Sequence, residues 1–506
     1  VKTWPIPLPA LAACLVVWTW PVAVRATAGN PIADALDRWD LAAAQAWIDQ
    51  ADPSGRSRSL AGVRGAMLFL QGEYEAAETV LAAADDADAT TLRARVRDTR
   101  AVTAGLATAW SPSRRFVARF APGPDEAVLP YLLEAAEAAF DVLSARLGMT
   151  VPVPVRIEIL PSIDALSVVS ATDRGDLVRS GAVAVADFNK LMVLSPSQLP
   201  HGYPFADTVA HELAHHFLTV RAGHRVPVWF QEAVAKYLEP AWRGASPGTL
   251  HRSLAGLLAD ARAGGRLVRF DELRQSLSRM PSPERTALAF AQLSSFAAFL
   301  VRTEGDDVLS RMADEFRVGD EEVAVLRATG KTLDELQAAW LRAYDAEGRP
   351  ADTGGVRGIL VRESGPPEAT LSTAQAALLR LGDLLRRRGH PGQAAERYAR
   401  IVVPGAHPLL VARLASAWNE AGEPARALAA LDRAGLDEVE WAMLARERGR
   451  ALVAMGRHAE AEAPLLAAVR TDPYDPGTHE ALARVMAALG RPAEADREQR
   501  LAAMWR

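Results

Sequence analysis

The sequence is almost without cysteine: Cys14 is the only one in 506 residues. An internal disulfide is therefore excluded, as are CxxC redox and metal motifs, so any metal must be held by His and carboxylates. Long basic tracts are missing too. The 57 Lys and Arg are outnumbered by 62 Asp and Glu, for a net charge of -5, which leaves nucleic-acid binding without electrostatic support. After residue 24 no apolar run reaches the 18 or so residues that a membrane span needs, so no spanning segment is expected downstream. What is present, 49% hydrophobic and 24% charged residues, can build packed cores and rules out a wholly disordered chain. The length suggests about three domains.

Lys2 is the only charge before an apolar stretch from Trp4 to Val24, which is followed by Arg25 and by Ala26-Thr27-Ala28. This pattern reads residues 1–28 as a cleaved export signal, and the expected location is periplasmic or secreted. Pro5, Pro7, Pro9 and Pro21 disfavour a stable membrane helix. Leu11-Ala12-Ala13-Cys14 also resembles a bacterial lipobox, so a lipid anchor through Cys14 is one alternative and an uncleaved N-terminal anchor another.

From Leu371 onward the chain is rich in Ala, Leu, Arg and Glu and repeats itself. Gly389, Gly422, Gly456 and Gly490 recur every 33 or 34 residues, each followed five positions later by Ala394, Ala427, Ala461 or Ala495. Such a period means stacked helical hairpins, with small residues where helices cross. The pattern resembles the tetratricopeptide repeat, although its aromatic positions are largely Leu and Ala here. Another copy, Gly65, Gly72, Ala77 and Ala84, precedes the middle region. The expected layout is a helical repeat-like segment at 29–110, a different domain at 112–348, a linker at 349–367 and helical repeats at 368–506. Repeats of this kind expose a groove that can hold a protein partner, or serve only as a packing scaffold.

In the middle the periodicity changes. Arg115 to Phe120 and Val153 to Leu160 alternate like strands, Glu126 to Leu147 is helical up to Gly148, and Gly181 to Ala186 and Leu191 to Leu194 read as further strands. A helix from about Phe205 to Val220 follows. Strands first and helices after argue for an α+β domain.

Four of the ten histidines, His201, His211, His215 and His216, fall within sixteen positions, in a segment that includes D-T-V-A-H-E-L-A-H-H-F. His211 and His215 are four residues apart, so both imidazoles leave one helix face and can reach one ion. Glu212 is carried beside them, where a carboxylate can take a proton from an activated water. A third ligand is offered by Glu232 in V-P-V-W-F-Q-E-A-V-A-K-Y-L-E, on a second helix that Pro227 opens. Asp207, one turn before His211, can hydrogen-bond a ligand imidazole or complement the helix dipole.

With these motifs in view, residues 112–348 resemble the gluzincin-type peptidase MA-like domains, HExxH zinc metallopeptidases. The resemblance implies an α+β zincin-like catalytic domain between the helical tetratricopeptide-like segments; with the N-terminal signal and the Ala- and Arg-rich composition, an exported bacterial protein is expected. It implies one Zn2+ per chain on His211, His215 and Glu232, Glu212 as general base, and a peptide or protein substrate. The strand of Gly181, Val183 and Val185 would be the edge to which an extended peptide adds. Two departures stand out. Ala233 replaces the glycine that usually follows the third ligand, and Phe290 stands where a Tyr or His donor to the oxyanion is expected. Phe has no donor, which leaves Tyr237 and His216, along with His201, Tyr203 and His224, as substitutes. The alternative is a catalytically inactive, peptidase-like scaffold of the cell envelope that binds proteins through its repeats. A structural zinc site would normally fill all four positions with protein ligands, and three are found.

Overall fold

The computed structural model describes residues 31, 32, 35, 40–54, 57–84, 87–187, 190–274, 277, 280–348, 371–403, 405–436 and 441–505. The expected export signal, with Cys14, and the linker at 349–367 lie outside the described residues.

Helices α1 (Leu41–Ala51), α2 (Arg58–Leu70), α3 (Tyr74–Leu81) and α4 (Ala87–Thr103) lead into a five-stranded sheet. Its strands are β1 (Ala107–Trp110), β2 (Phe116–Phe120), β3 (Val155–Leu160), β4 (Ala184–Asp187) and β5 (Lys190–Leu194), in the order β1-β2-β3-β5-β4. β2, β3 and β5 run parallel, and β1 and β4 close the edges antiparallel. Helix α5 (Leu129–Leu147) crosses between β2 and β3, and α6 (Ile163–Ser170) and α7 (Arg174–Ser180) between β3 and β4.

Side-chain alternation gives the sheet two different faces. Phe116, Ile157, Ile159, Leu191 and Val193 form an apolar face. It packs on α5 and on α8 (Phe205–Ala222), with Phe140 of α5 meeting Phe116 and Phe217 edge to face. The other face carries Arg119, Arg156, Glu158 and Lys190 and receives the N-terminal helices. Tyr74 donates to Glu158 at 2.8 Å and accepts from the buried Lys190 at 3.2 Å.

Two sequence expectations are corrected here. Ala107–Trp110, inside the segment expected to be helical, is strand β1; four residues of Ala-Thr-Ala-Trp carry little apolar pattern, and pairing with β2 decides their conformation. The edge strand begins at Ala184, because Gly181 takes a left-handed conformation (φ 69°) that ends α7.

Beyond α8 come α9 (Val228–Leu238), a short 3-10 turn (Glu239–Arg243), α10 (Arg252–Ala263), α11 (Phe270–Leu273) and α12 (Pro283–Glu304), then α13 (Val308–Val318), α14 (Glu321–Thr329) and α15 (Leu333–Glu347). By length and composition alone α12 meets the measure of a membrane span. It packs on α9 and α10, and 72% of its most apolar window is covered by protein, as befits a central core helix.

The C-terminal helices are α16 (Thr373–Arg387), α17 (Pro391–Tyr398), α18 (Pro408–Glu420), α19 (Pro424–Ala434), α20 (Ala442–Ala454), α21 (His458–Val469), α22 (Pro476–Ala488) and α23 (Pro492–Ala503), packed in successive pairs. The recurring Gly389, Gly422, Gly456 and Gly490 sit at positive φ in the turn inside each pair. The last helices dock on the α/β region. Tyr203 donates its backbone N–H to Thr471 at 3.0 Å, Tyr474 bonds Asp125 at 3.0 Å, and Tyr131 donates to Glu498 at 2.6 Å. One continuous set of buried apolar side chains thus runs from Ala61 to Leu501.

Candidate metal centre

Helix α8 starts after Pro204, ends at Gly223 and is buried nearly all round, which fixes its rotation against the sheet. One turn apart on it, the rings of His211 and His215 lie with centroids 4.9 Å apart. Helix α9 is anchored by Trp229, whose ring packs with those of Phe230, Phe270, Phe296 and Phe316. That anchorage turns Glu232 toward α8. Its Oε2 lies 3.3 Å from Nε2 of His211 and 3.6 Å from Nε2 of His215.

Ligand atoms of the three residues therefore lie within 4.8 Å of one another, on side chains at most 2% exposed. Neither ring nitrogen of buried His215 makes a hydrogen bond. An imidazole buried that way is costly unless something else is its partner. Two imidazoles and one carboxylate without thiolate are a donor set that suits zinc and leaves a fourth position open. The residues present fit the ion. Glu212, next to His211, is fully buried as well.

The other nitrogen of His211 has its own partner. Nδ1 lies 3.0 Å from Oε2 of Glu239, and a carboxylate accepts, so Nδ1 carries the proton and Nε2 is left to face the metal side. Glu239 in turn accepts from Nζ of Lys236 at 2.6 and 2.8 Å. Burial works against the charge on Glu239, yet Lys236 and His211 together hold its carboxyl well below the usual range.

Several expected site residues go elsewhere. Asp207 does not reach a ligand imidazole: it accepts from Nε1 of Trp242 at 2.8 Å and pairs with Arg243, both on the 3-10 turn after α9. The turn runs beside α8, so Glu239 takes the place opposite His211 and Trp242 and Arg243 take Asp207. Tyr237, five residues past Glu232, leaves α9 on another side, with its ring edge beside Gly248. His216 is buried one step, about 100°, around the helix from His215. Tyr203 spends its hydroxyl on the carbonyl of Leu194. Phe290 does lie at the centre, its ring edge-on to His211 at 6.1 Å. Val185 is buried in β4 and Val183 just ahead of it; among the described residues β4 pairs with β5 alone, and it packs on α8.

Sequence reasoning passed over Glu239 and Lys236. Their signal is spacing: they lie seven and four residues after Glu232, on the same helical face.

The comparison with known families now bears on this geometry. Residues 135–345 match the Peptidase MA superfamily. That stretch, from within α5 to within α15, contains His211, Glu212, His215, Glu232 and Glu239, and makes the region metallopeptidase-like. No curated protein matches the sequence. Among solved structures, native yeast LTA4 hydrolase is similar at 14% identity and a TM-score of 0.31, over 79% of this chain and 66% of that one. A second structure, native leukotriene A4 hydrolase from Saccharomyces cerevisiae, gives 13% identity and a TM-score of 0.30, over 79% of this chain and 67% of that one.

Proposed function

We propose that the chain is a zinc metallopeptidase that hydrolyses peptide bonds, with Glu212 as general base. The observation that carries this reading is the buried convergence of His211, His215 and Glu232 within 4.8 Å, beside Glu212 on the same helix. Zinc held there supplies a Lewis acid that polarises a water and the scissile carbonyl. Glu212 takes the water's proton on its carboxylate and returns it to the leaving amine. Glu239 keeps the His211 ring in place through Nδ1. An extended peptide substrate would add to β4, the sheet edge next to α8. The chain would act outside the cytoplasm, after loss of residues 1–28 or anchored through Cys14, and its C-terminal helices would hold a protein partner.

The second reading, a scaffold with a retired site, draws on Phe290, which meets His211 and offers no donor. Losing one oxyanion donor costs about 10² to 10³ in rate, so a slow peptidase and a retired one differ in whether cleavage depends on Glu212. The variant Glu212→Gln keeps the shape of the side chain and removes the base. Zinc content should be unchanged and peptide cleavage abolished; cleavage at the parent rate would remove Glu212 from the mechanism.

A further inference from the structure

We propose that Lys236 is a positioning residue for the metal: it fixes the carboxylate of Glu239, and through it the ring of His211. The inference rests on the metal-site reading above and names a residue outside the HExxH pattern.

Glu239 is the first residue past α9, and the 3-10 turn that it opens packs against α8. Its two oxygens meet one ammonium, Nζ of Lys236, at 2.6 and 2.8 Å, and Oε2 also meets Nδ1 of His211 at 3.0 Å. The ammonium is itself confined. Only 10% of the Lys236 side chain is exposed, and Nζ lies 5.9 Å from the centre of the Phe290 ring. The same ring meets His211 edge-on. Phe290, placed where a donor was expected, thus walls both the ammonium and the imidazole.

Charge explains why a lysine is needed. A buried carboxylate facing a neutral imidazole alone would be poorly compensated. With the ammonium chelated across both oxygens, Glu239 is held as an acceptor aimed at Nδ1, and the lone pair of Nε2 stays directed at the metal. Lys236 is four residues after Glu232, so a metal ligand and its positioning residue rise from one face of α9. Replacing the cation frees Glu239 to swing, and His211 loses its fixed orientation.

The test uses the full chain, with zinc affinity measured by competition against a chromophoric chelator and the cobalt-substituted protein followed through its visible bands. K236M and E239Q should weaken zinc by about 10- to 100-fold, as partners of a ligand imidazole do, and shift the cobalt bands. K236R, which keeps the charge and can fork onto the carboxylate, should stay near the parent affinity and bands. A role in packing alone would lower thermal stability and leave affinity and bands unmoved. The inference is overturned if K236M binds zinc as tightly as the parent with unchanged bands. Should K236M fail to fold, E239D against E239Q decides: equal affinity in those two overturns it. A parent chain that takes up no zinc is a separate result, which overturns the metal-site reading and this inference with it.

Discussion

The carboxylate of Glu239 lies 3.0 Å from Nδ1 of His211, opposite the Nε2 that Glu232 approaches at 3.3 Å. One imidazole is therefore gripped from both sides by carboxylates that belong to a single stretch, α9 and the turn that continues it. The rotation of α9 about its axis sets this half of the site, because α9 carries Glu232 and Lys236 and leads directly into Glu239.

What holds that rotation is Trp229. It is fully buried, ringed by aromatic side chains, and its Nε1 donates to Glu321 at 3.0 Å. Trp229→Ala should cost about 3–5 kcal/mol, and bound zinc should fall with it because Glu232 loses its bearing. Urea unfolding checks the stability. Trp110→Ala, at a ring 43% exposed, is the contrast and should change stability by less than about 0.5 kcal/mol.

A second expectation concerns the joint between the loop that enters α8 and the C-terminal helices. Gly202 has φ 62°, and a Cβ there would collide with the carbonyl oxygen of Thr471. Backbone, unlike a side-chain tip, cannot step aside. Gly202→Val should destabilise by about 2 kcal/mol or more from left-handed strain and overpacking combined. Thermal melting checks this, and limited proteolysis should cut more readily between residues 470 and 475.

Acid should loosen the same joint through Glu498. Burial opposes charge on this carboxylate, but hydrogen bonds from His479 and Tyr131 outweigh it and lower its pKa in the folded chain. A folded value below the unfolded one means stability that is fully present above the unfolded pKa, about 4.5, and lost as pH falls through the folded value. The urea midpoint of the parent should therefore fall more steeply below pH ~4.5 than that of Glu498→Gln. Equal slopes in the two proteins would contradict this assignment.

The convergence of His211, His215 and Glu232 could be read from sequence because each part of it is a local regularity. A four-residue step puts His211 and His215 on one face, and the apolar Phe230 and Val234 set Glu232 inward. Of the two roles open to Asp207, the structure shows a carboxylate in the first turn of α8 paired with Arg243, a partner set by a turn whose path has no periodic signal. Glu239 was obscured because a 3-10 turn succeeds the helix at that residue. Strand β1 depends on pairing with β2 rather than on its own residues. The docking of Tyr474 on Asp125 joins positions 349 apart, and no local pattern marks such a contact.

The most direct measurement is the zinc content of the purified, metal-replete chain beside a His211→Ala, His215→Ala double variant folded to the same extent. About one zinc per chain in the parent and none in the variant is the expected result. A parent that carries no zinc, or a double variant that keeps it, would contradict the metal centre described above.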